Sequence, residues 1–199
     1  SQNRMDRIPP LLPILSAQDA DAHWEWVRSL VFLHQGQEES AEKALRSALS
    51  LDFEHPYAAL SLASLLRKRG DEMGALKLID QVLMTRPGFV LARIDSASMG
   101  LAIPERRKYA KQELSKLSLE TDISSVERSM AALLLGKDAM RLARYGEADD
   151  LLTRALSNAI QPDEAISELV RLYLIQGRGT DAQRLLKRTP GVSVPVVRT

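Results

Sequence analysis

Hydrophobic and polar positions in this chain follow the period of an α-helix over most of its length. Apolar residues recur at spacings of three and four, which indicates helices that each bury one face. Turn-forming residues interrupt this pattern at regular intervals. Residues 56–88 show it most clearly, with two amphipathic segments that join at Gly70-Asp71 and end before Pro87-Gly88. We therefore predict a helical hairpin over this stretch.

The same pattern returns before and after this hairpin, so we predict five pairs of helices. The predicted pairs cover about 21–35 and 38–51, 56–69 and 72–86, 90–102 and 105–117, 125–142 and 145–158, and 163–176 and 181–188. Asp19 or Asp21 can cap the first helix. Ser124 with Glu127, and Thr180 with Gln183, have the spacing of a capping box, in which each residue bonds the backbone of the other.

Small and apolar residues recur in one register through the five pairs. An alanine early in each second helix gives spacings of 34, 35, 38 and 34 residues: Ala41, Ala75, Ala110, Ala148, Ala182. Five positions earlier stand Gly36, Gly70, Glu105, Ala143, Gly177. Twelve positions earlier stand Ser29, Ala63, Ser98, Gly136, Val170. Small residues let paired helices approach closely, and a single pair cannot bury its apolar face alone. The pairs are therefore expected to stack.

The amino-acid composition limits the classes of function that this protein can have. The 199 residues are 45% hydrophobic and carry a net charge of +1, so a basic excess typical of nucleic-acid binders is missing. The sequence contains no cysteine, which excludes disulfides, thiolate metal sites and cysteine nucleophiles. An apolar run of the roughly 20 residues needed to span a bilayer is also missing.

Candidate catalytic chemistry is sparse. Of the three histidines, His23 and His34 are 11 positions apart, which is about 16 Å along one helix. His55 stands alone, and neither a zinc-protease motif, a Gly-rich phosphate loop nor a nucleophile elbow occurs. We predict a protein without catalytic residues, metal ligands or cofactors, and therefore not an enzyme.

With these residues in view, the chain resembles the tetratricopeptide repeat (TPR) family over about residues 22–189. The resemblance is strongest in Gly36, Ala41, Ala48 and in Gly70, Ala75, Val82, Pro87, and returns in Tyr173, Gly177, Ala182. The third and fourth units depart from it at Glu105 and Ala143. The resemblance implies an all-α, right-handed α-solenoid of about five helical hairpins over residues 19–189.

The same resemblance implies a non-catalytic adaptor or scaffold in complex assembly. Its concave groove, lined by the first helix of each pair, would bind a peptide or helix of a protein partner. The residues that map to this groove are Trp26, Leu30, His34, Tyr57, Leu60, Ser64, Arg67, Lys68, Met99, Lys137, Arg141, Arg171. Trp26 and Leu30 stand where one subtype carries the Lys and Asn that hold a terminal carboxylate. A chaperone-tail receptor is therefore not expected.

Several groove residues have two interpretations. The cations favour an acidic partner steered by charge, but Lys and Arg are also common in the last turn of any helix. Trp26 is either a binding hot spot or part of the core beneath an N-terminal cap. Met99 is either an adaptable contact or ordinary core. The expected partner is accordingly acidic or amphipathic.

Both ends of the chain differ from the repeats. Residues 1–18 form a predicted arm that contains Pro9, Pro10 and Pro13, and 190–199 form a predicted extended tail. The arm either caps the first helix or docks on a second copy or a partner. Self-association (a homo-oligomer) through the arm or the tail is the alternative function. The localisation stays open between the cytoplasm and, with an anchor before Ser1, the periplasm. Family habit suggests a secretion or pilus-type assembly.

Overall fold

A computed structural model describes residues 21–158 and 162–189 of the chain. This part holds ten α-helices, whose ends lie within two residues of the predicted ones. They are α1 (Ala22–His34), α2 (Glu38–Leu51), α3 (Pro56–Lys68), α4 (Glu72–Thr85), α5 (Val90–Gly100), α6 (Pro104–Leu117), α7 (Ser125–Arg141), α8 (Tyr145–Asn158), α9 (Asp163–Ile175) and α10 (Gly179–Arg188). The predicted arm at 1–18 and tail at 190–199 lie outside the described residues.

Helix starts follow from side chains that accept hydrogen bonds from free backbone N–H groups. The Asp21 carboxylate accepts from the His23 N–H at 3.0 Å and begins α1, as predicted. The capping box of Ser124 and Glu127 is confirmed at α7. The box predicted at Thr180 is wrong: the Asp181 and Ala182 N–H groups bond to the Arg178 carbonyl, so α10 begins at Gly179 and Thr180 lies inside it.

The chain divides into two compact units, one up to Ala92 and one from Arg93 onward. In the first unit, α1 packs on α2, α2 on α3 and α3 on α4, while α1 also contacts α3. Its core cluster consists of Leu45, Ala48, Ala58 and Leu62. Contacts between first helices of successive hairpins are what a stack of repeats produces.

The second unit repeats this arrangement. Here α6 packs on α7, α7 on α8, α8 on α9 and α9 on α10, while α7 also contacts α9. One of its buried clusters contains Ala139, Ala148, Leu152, Leu169, Leu172. The described chain is thus an all-α solenoid of helical hairpins.

The predicted alanine register is buried in all five hairpins. Exposure is 0% at Ala41, Ala75 and Ala148, and 6% and 3% at the remaining two, Ala110 and Ala182. Gly136, in the small-residue register, faces Leu152 so closely that an added Cβ would lie 2.7 Å from that side chain. The small residues therefore set the approach of paired helices, as expected.

Turns within the hairpins use a left-handed residue at one equivalent position. Gly36, Gly70 and Gly177 have φ angles of 73°, 87° and 70°, and Ala143 takes φ 55° in the same place without being glycine. Glu105 is not the corresponding turn residue, since it lies in the first turn of α6. Pro104, with its fixed φ, starts α6 about one turn earlier relative to buried Ala110.

Candidate partner-binding surface

Five rings on or next to the first helices lie close together in a group that we call the aromatic cluster. It consists of His23, Trp26, His55, Tyr57 and Phe89. Ring centroids are 5.1 Å apart from His23 to Trp26, 5.3 Å from Trp26 to Tyr57, and 5.4 Å from Tyr57 to Phe89. These separations are those of favourable tilted or edge-to-face aromatic pairs. The cluster joins α1, the start of α3 and the residue before α5 within the first unit.

Trp26 is the centre of the cluster and is fixed from two sides. Its indole N–H donates to the Ser61 hydroxyl on α3 at 3.1 Å. Its ring packs against the core cluster of the first unit while staying partly accessible to solvent. Trp24, two residues earlier on the same helix, lies on another face and is 44% exposed. Trp26 thus packs partly as core, as one of the two interpretations expected, while part of its ring stays on the surface.

His55 is the buried member of the cluster, and it also caps α3. It is 8% exposed, and its Nδ1 accepts a hydrogen bond from the Ala58 N–H at 3.1 Å. Burial lowers its pKa, while the carboxylate of Asp52 acts in the opposite direction. Because Nδ1 must be unprotonated to accept this bond, the neutral imidazole is the form that caps the helix.

An open pocket of about 310 Å³ continues the cluster along α3. Its walls are Leu33, Gly36, Glu38, Ser61, Ser64, Leu65, Lys68. Ser61 belongs to both features, since the same hydroxyl accepts from the indole of Trp26. Glu38 and Lys68 form an ion pair at the rim, and the hydrogen bond from Lys68 lowers the pKa of Glu38. The surface therefore offers aromatic rings beside a recess that mixes two leucines with serine hydroxyls and an ion pair.

Eight of the predicted groove residues lie in the first unit. Trp26 and Tyr57 belong to the aromatic cluster, and Ser64 and Lys68 line the pocket. Leu30 and His34 are exposed on α1, and Arg67 is half-buried. Leu60 is 8% exposed and therefore offers little surface to a partner.

Four predicted groove residues lie in the second unit. Met99 is 6% exposed and packs as core. Lys137 pairs with Glu164 at 2.7 Å, Arg141 with Asp138 at 3.2 Å, and Arg171 with Glu168 at 3.8 Å. The structure does not bring these four together with the aromatic cluster in one unit.

Carboxylates offset most of the predicted groove cations. Lys68, like the three cations of the second unit, has an acidic partner within ion-pair distance. Exposed pairs of this kind contribute at most about 1 kcal/mol each, but they leave little free positive charge. Charge is therefore a weaker feature of this surface than its aromatic rings.

Sequence reasoning did not find His55, Phe89 or Ser61 as part of the surface. Two signals were present: His55 precedes Pro56 at a helix start, and Phe89 follows the Pro87-Gly88 turn. Their meeting depends on how α1 and α3 stack, which no local pattern specifies.

Neither a metal-ligand cluster nor a membrane-spanning helix occurs in the part of the chain that the structure describes. Within 21–158 and 162–189, groups of three or more His, Asp or Glu side chains that could hold a metal ion are absent. In the same ranges, none of the helices has the length and apolar character to cross a membrane.

Comparison with solved structures finds similar helical repeats. PilW, a widely conserved type IV pilus biogenesis factor, superposes with a TM-score of 0.69 at 18% identity over 84% of this chain and 75% of its own. PilF from Pseudomonas aeruginosa gives 0.68 at 19% identity over 86% and 78%. A thermophilic TPR protein from Thermus thermophilus gives 0.66 at 21% identity over 85% and 92%. Neither a family model nor a curated protein matches the sequence.

The stacked hairpins define a helical-repeat protein of the α-solenoid class. The particular fold is that of the tetratricopeptide repeat, as the register of small residues and turn glycines predicted. At identities of 18–21%, the comparisons show the fold alone.

Proposed function

We propose that this chain is a non-catalytic protein-interaction scaffold that binds an extended apolar or amphipathic peptide segment along the first unit. The peptide would lie over the aromatic cluster and place one apolar side chain in the adjoining pocket. The single observation that carries this proposal is the continuity of the two features through Ser61.

Aromatic side chains favour such a role for physical reasons. Trp and Tyr supply large contact areas at a low cost in conformational entropy, and they are enriched among residues that dominate binding energy. Tyr57 is 43% exposed although three other rings of the cluster neighbour it. A bound side chain would remove this remaining apolar surface from water, at about 25 cal/mol per Å² buried.

The paired cations favour an amphipathic partner over a purely acidic one. An acidic peptide would have to displace Glu38 from Lys68, which exchanges one ion pair for another with little gain. Apolar contacts with Trp26 and Tyr57 need no such exchange. The partner's affinity is therefore expected to depend only weakly on salt.

A peptide library displayed on phage and selected on the full chain tests the proposal. Selected peptides should lose at least about 2 kcal/mol of binding free energy with Trp26→Ala, the size typical of a hot spot. Trp24→Ala is the matched control, since it removes the same side chain from another face of the same helix. Equal losses in both variants, or no enriched peptide, would exclude this surface.

Self-association is the second candidate function, and exposed apolar residues on the first unit favour it. Phe53, Met84 and Leu51 are 63%, 84% and 47% exposed, and Gln81 donates to the Phe53 carbonyl at 2.9 Å, which fixes that loop on α4. Light scattering of the wild type against Phe53→Ser would detect it, because a dimer through this loop should dissociate in the variant.

A pilus or secretion setting stays a further prediction. PilW is described as a type IV pilus biogenesis factor, but its similarity to this chain concerns the fold. Deletion of the encoding gene in its host, followed by electron microscopy of surface pili, would test this setting independently of the peptide surface.

A further inference from the structure

The aromatic cluster lies where the chain enters its first helix. His23 comes two residues after the N-cap Asp21, and Trp26 follows one turn later. His55 and Tyr57 stand at the N-terminal end of α3, so the corresponding ends of two first helices share the cluster. The residues before Asp21 are therefore tethered next to these rings.

The sequence before Asp21 has the chemistry that an aromatic surface binds. Residues 8–15 read IPPLLPIL, with three prolines, five aliphatic side chains and no charge. Proline fixes φ near the polyproline II value, and segments of this type dock on aromatic-lined surfaces at a low cost in entropy. The described part of the first unit presents such a surface.

The length of the intervening chain permits this contact. Pro13 precedes Asp21 by eight residues, which reach about 25 Å at about 3.1 Å per residue in a polyproline II conformation. Neighbouring rings from His23 to Phe89 are 5.1–5.4 Å apart, and three such steps cover the cluster. The segment can therefore lie over the rings without leaving the first unit.

We propose that residues 8–15 dock in cis on the aromatic cluster and compete there with an external peptide. This inference rests on the surface assigned under the proposed function and adds an occupant to it. A tethered segment acts at an effective concentration near the millimolar range, so even weak docking occupies the site. The observed affinity for an external peptide is then its intrinsic affinity multiplied by the fraction of sites that are open.

Trp26 provides a direct readout in the full chain. The protein has two tryptophans, and Trp24→Phe leaves Trp26 as the one fluorescent indole. In this background, an arm variant carries Leu11→Asp, Leu12→Asp, Ile14→Asp. A tail variant with the same added charge carries Val192→Asp, Val194→Asp, Val197→Asp and serves as the matched control. Circular dichroism verifies that each variant keeps its helices.

The arm variant should show a red shift of Trp26 emission and stronger acrylamide quenching. The reason is that the Trp26 indole becomes accessible to water once residues 8–15 no longer cover it. The tail variant should match its parent. A synthetic peptide of residues 5–18 should reverse both changes in the arm variant, and Tyr57→Ala should abolish this reversal. The same peptide should bind the parent at least about tenfold more weakly, since its own segment competes.

Identical emission and quenching in the arm variant and its parent would overturn the inference. The inference would also be overturned if Trp26 of the parent became more accessible to quencher on dilution of the protein. That result would mean that the segment binds a second copy. The proposed function has a separate test: phage peptides selected on the arm variant should still need Trp26. Failure of the cis contact would therefore leave peptide binding intact, whereas failure of peptide binding would appear in both proteins.

Discussion

Replacement of Ala143 by glycine is expected to stabilise the protein. Ala143 takes φ 55° at the position where three other hairpins place a glycine. An L-residue in this left-handed region destabilises the folded state by about 1–2 kcal/mol. Glycine removes that strain, but it lowers stability by about 0.5–1 kcal/mol because the unfolded chain gains entropy. The difference between these two ranges is a net gain for Ala143→Gly of about 0–1.5 kcal/mol.

Two glycine-to-alanine changes supply opposite controls. At Gly70, φ is 87° and a Cβ would meet nothing within 4 Å, so Gly70→Ala should cost about 1 kcal/mol through backbone strain alone. At Gly146, in the first turn of α8, a Cβ also meets nothing, but φ lies outside the left-handed region. Gly146→Ala should therefore stabilise by about 0.5–1 kcal/mol.

Urea unfolding followed by circular dichroism measures all three free energies. One kcal/mol corresponds to about 2–4 °C in Tm for a chain of this size, so thermal scans supply a second reading. Loss of stability in Ala143→Gly would refute the equivalence of the four turns. A neutral result for Gly70→Ala would refute the strain argument.

Three further predictions follow from single contacts. Gly136→Ala should destabilise by about 1–3 kcal/mol in urea unfolding, since its Cβ would overlap the Leu152 side chain. Asp138→Ala should cost about 3 kcal/mol in the same assay, because this carboxylate, 5% exposed, accepts two bonds from Arg107 at 2.5 and 2.6 Å. Stability should fall as pH decreases below about 6.5, the ordinary pKa of histidine, because burial lowers the pKa of His55 and the unfolded chain binds the proton first. The variant His55→Asn, which keeps a capping side chain, should lose that part of the pH dependence; an unchanged slope would contradict the assignment.

Local sequence patterns predicted the helices because each is determined within a few residues. Apolar periodicity, turn residues and caps such as Ser124 determine where a helix begins and ends. The register of Ala41 and its counterparts also indicated the stacking, since only small side chains allow that approach. The start of α10 at Gly179 was missed because its N-cap residue, Arg178, makes no side-chain cap bond.

The candidate surface was less predictable for a different reason. Trp26 and Tyr57 could be placed on the first helices from the repeat register, but their contact depends on tertiary stacking across 31 positions. His55 and Phe89 lie at helix starts, outside the repeat positions that the family resemblance supplies. The pairing of Lys68 with Glu38 also joins different hairpins, so the charge of the surface could not be read from the cations alone.

Hydrogen–deuterium exchange of the full chain with a selected peptide tests the central claim most directly. Peptide binding at the aromatic cluster and the pocket should add protection in residues 22–38 and 55–68 and around Phe89. The claim predicts unchanged exchange in α4, which contributes no side chain to either feature. Protection confined to α4 or to the second unit would contradict the account.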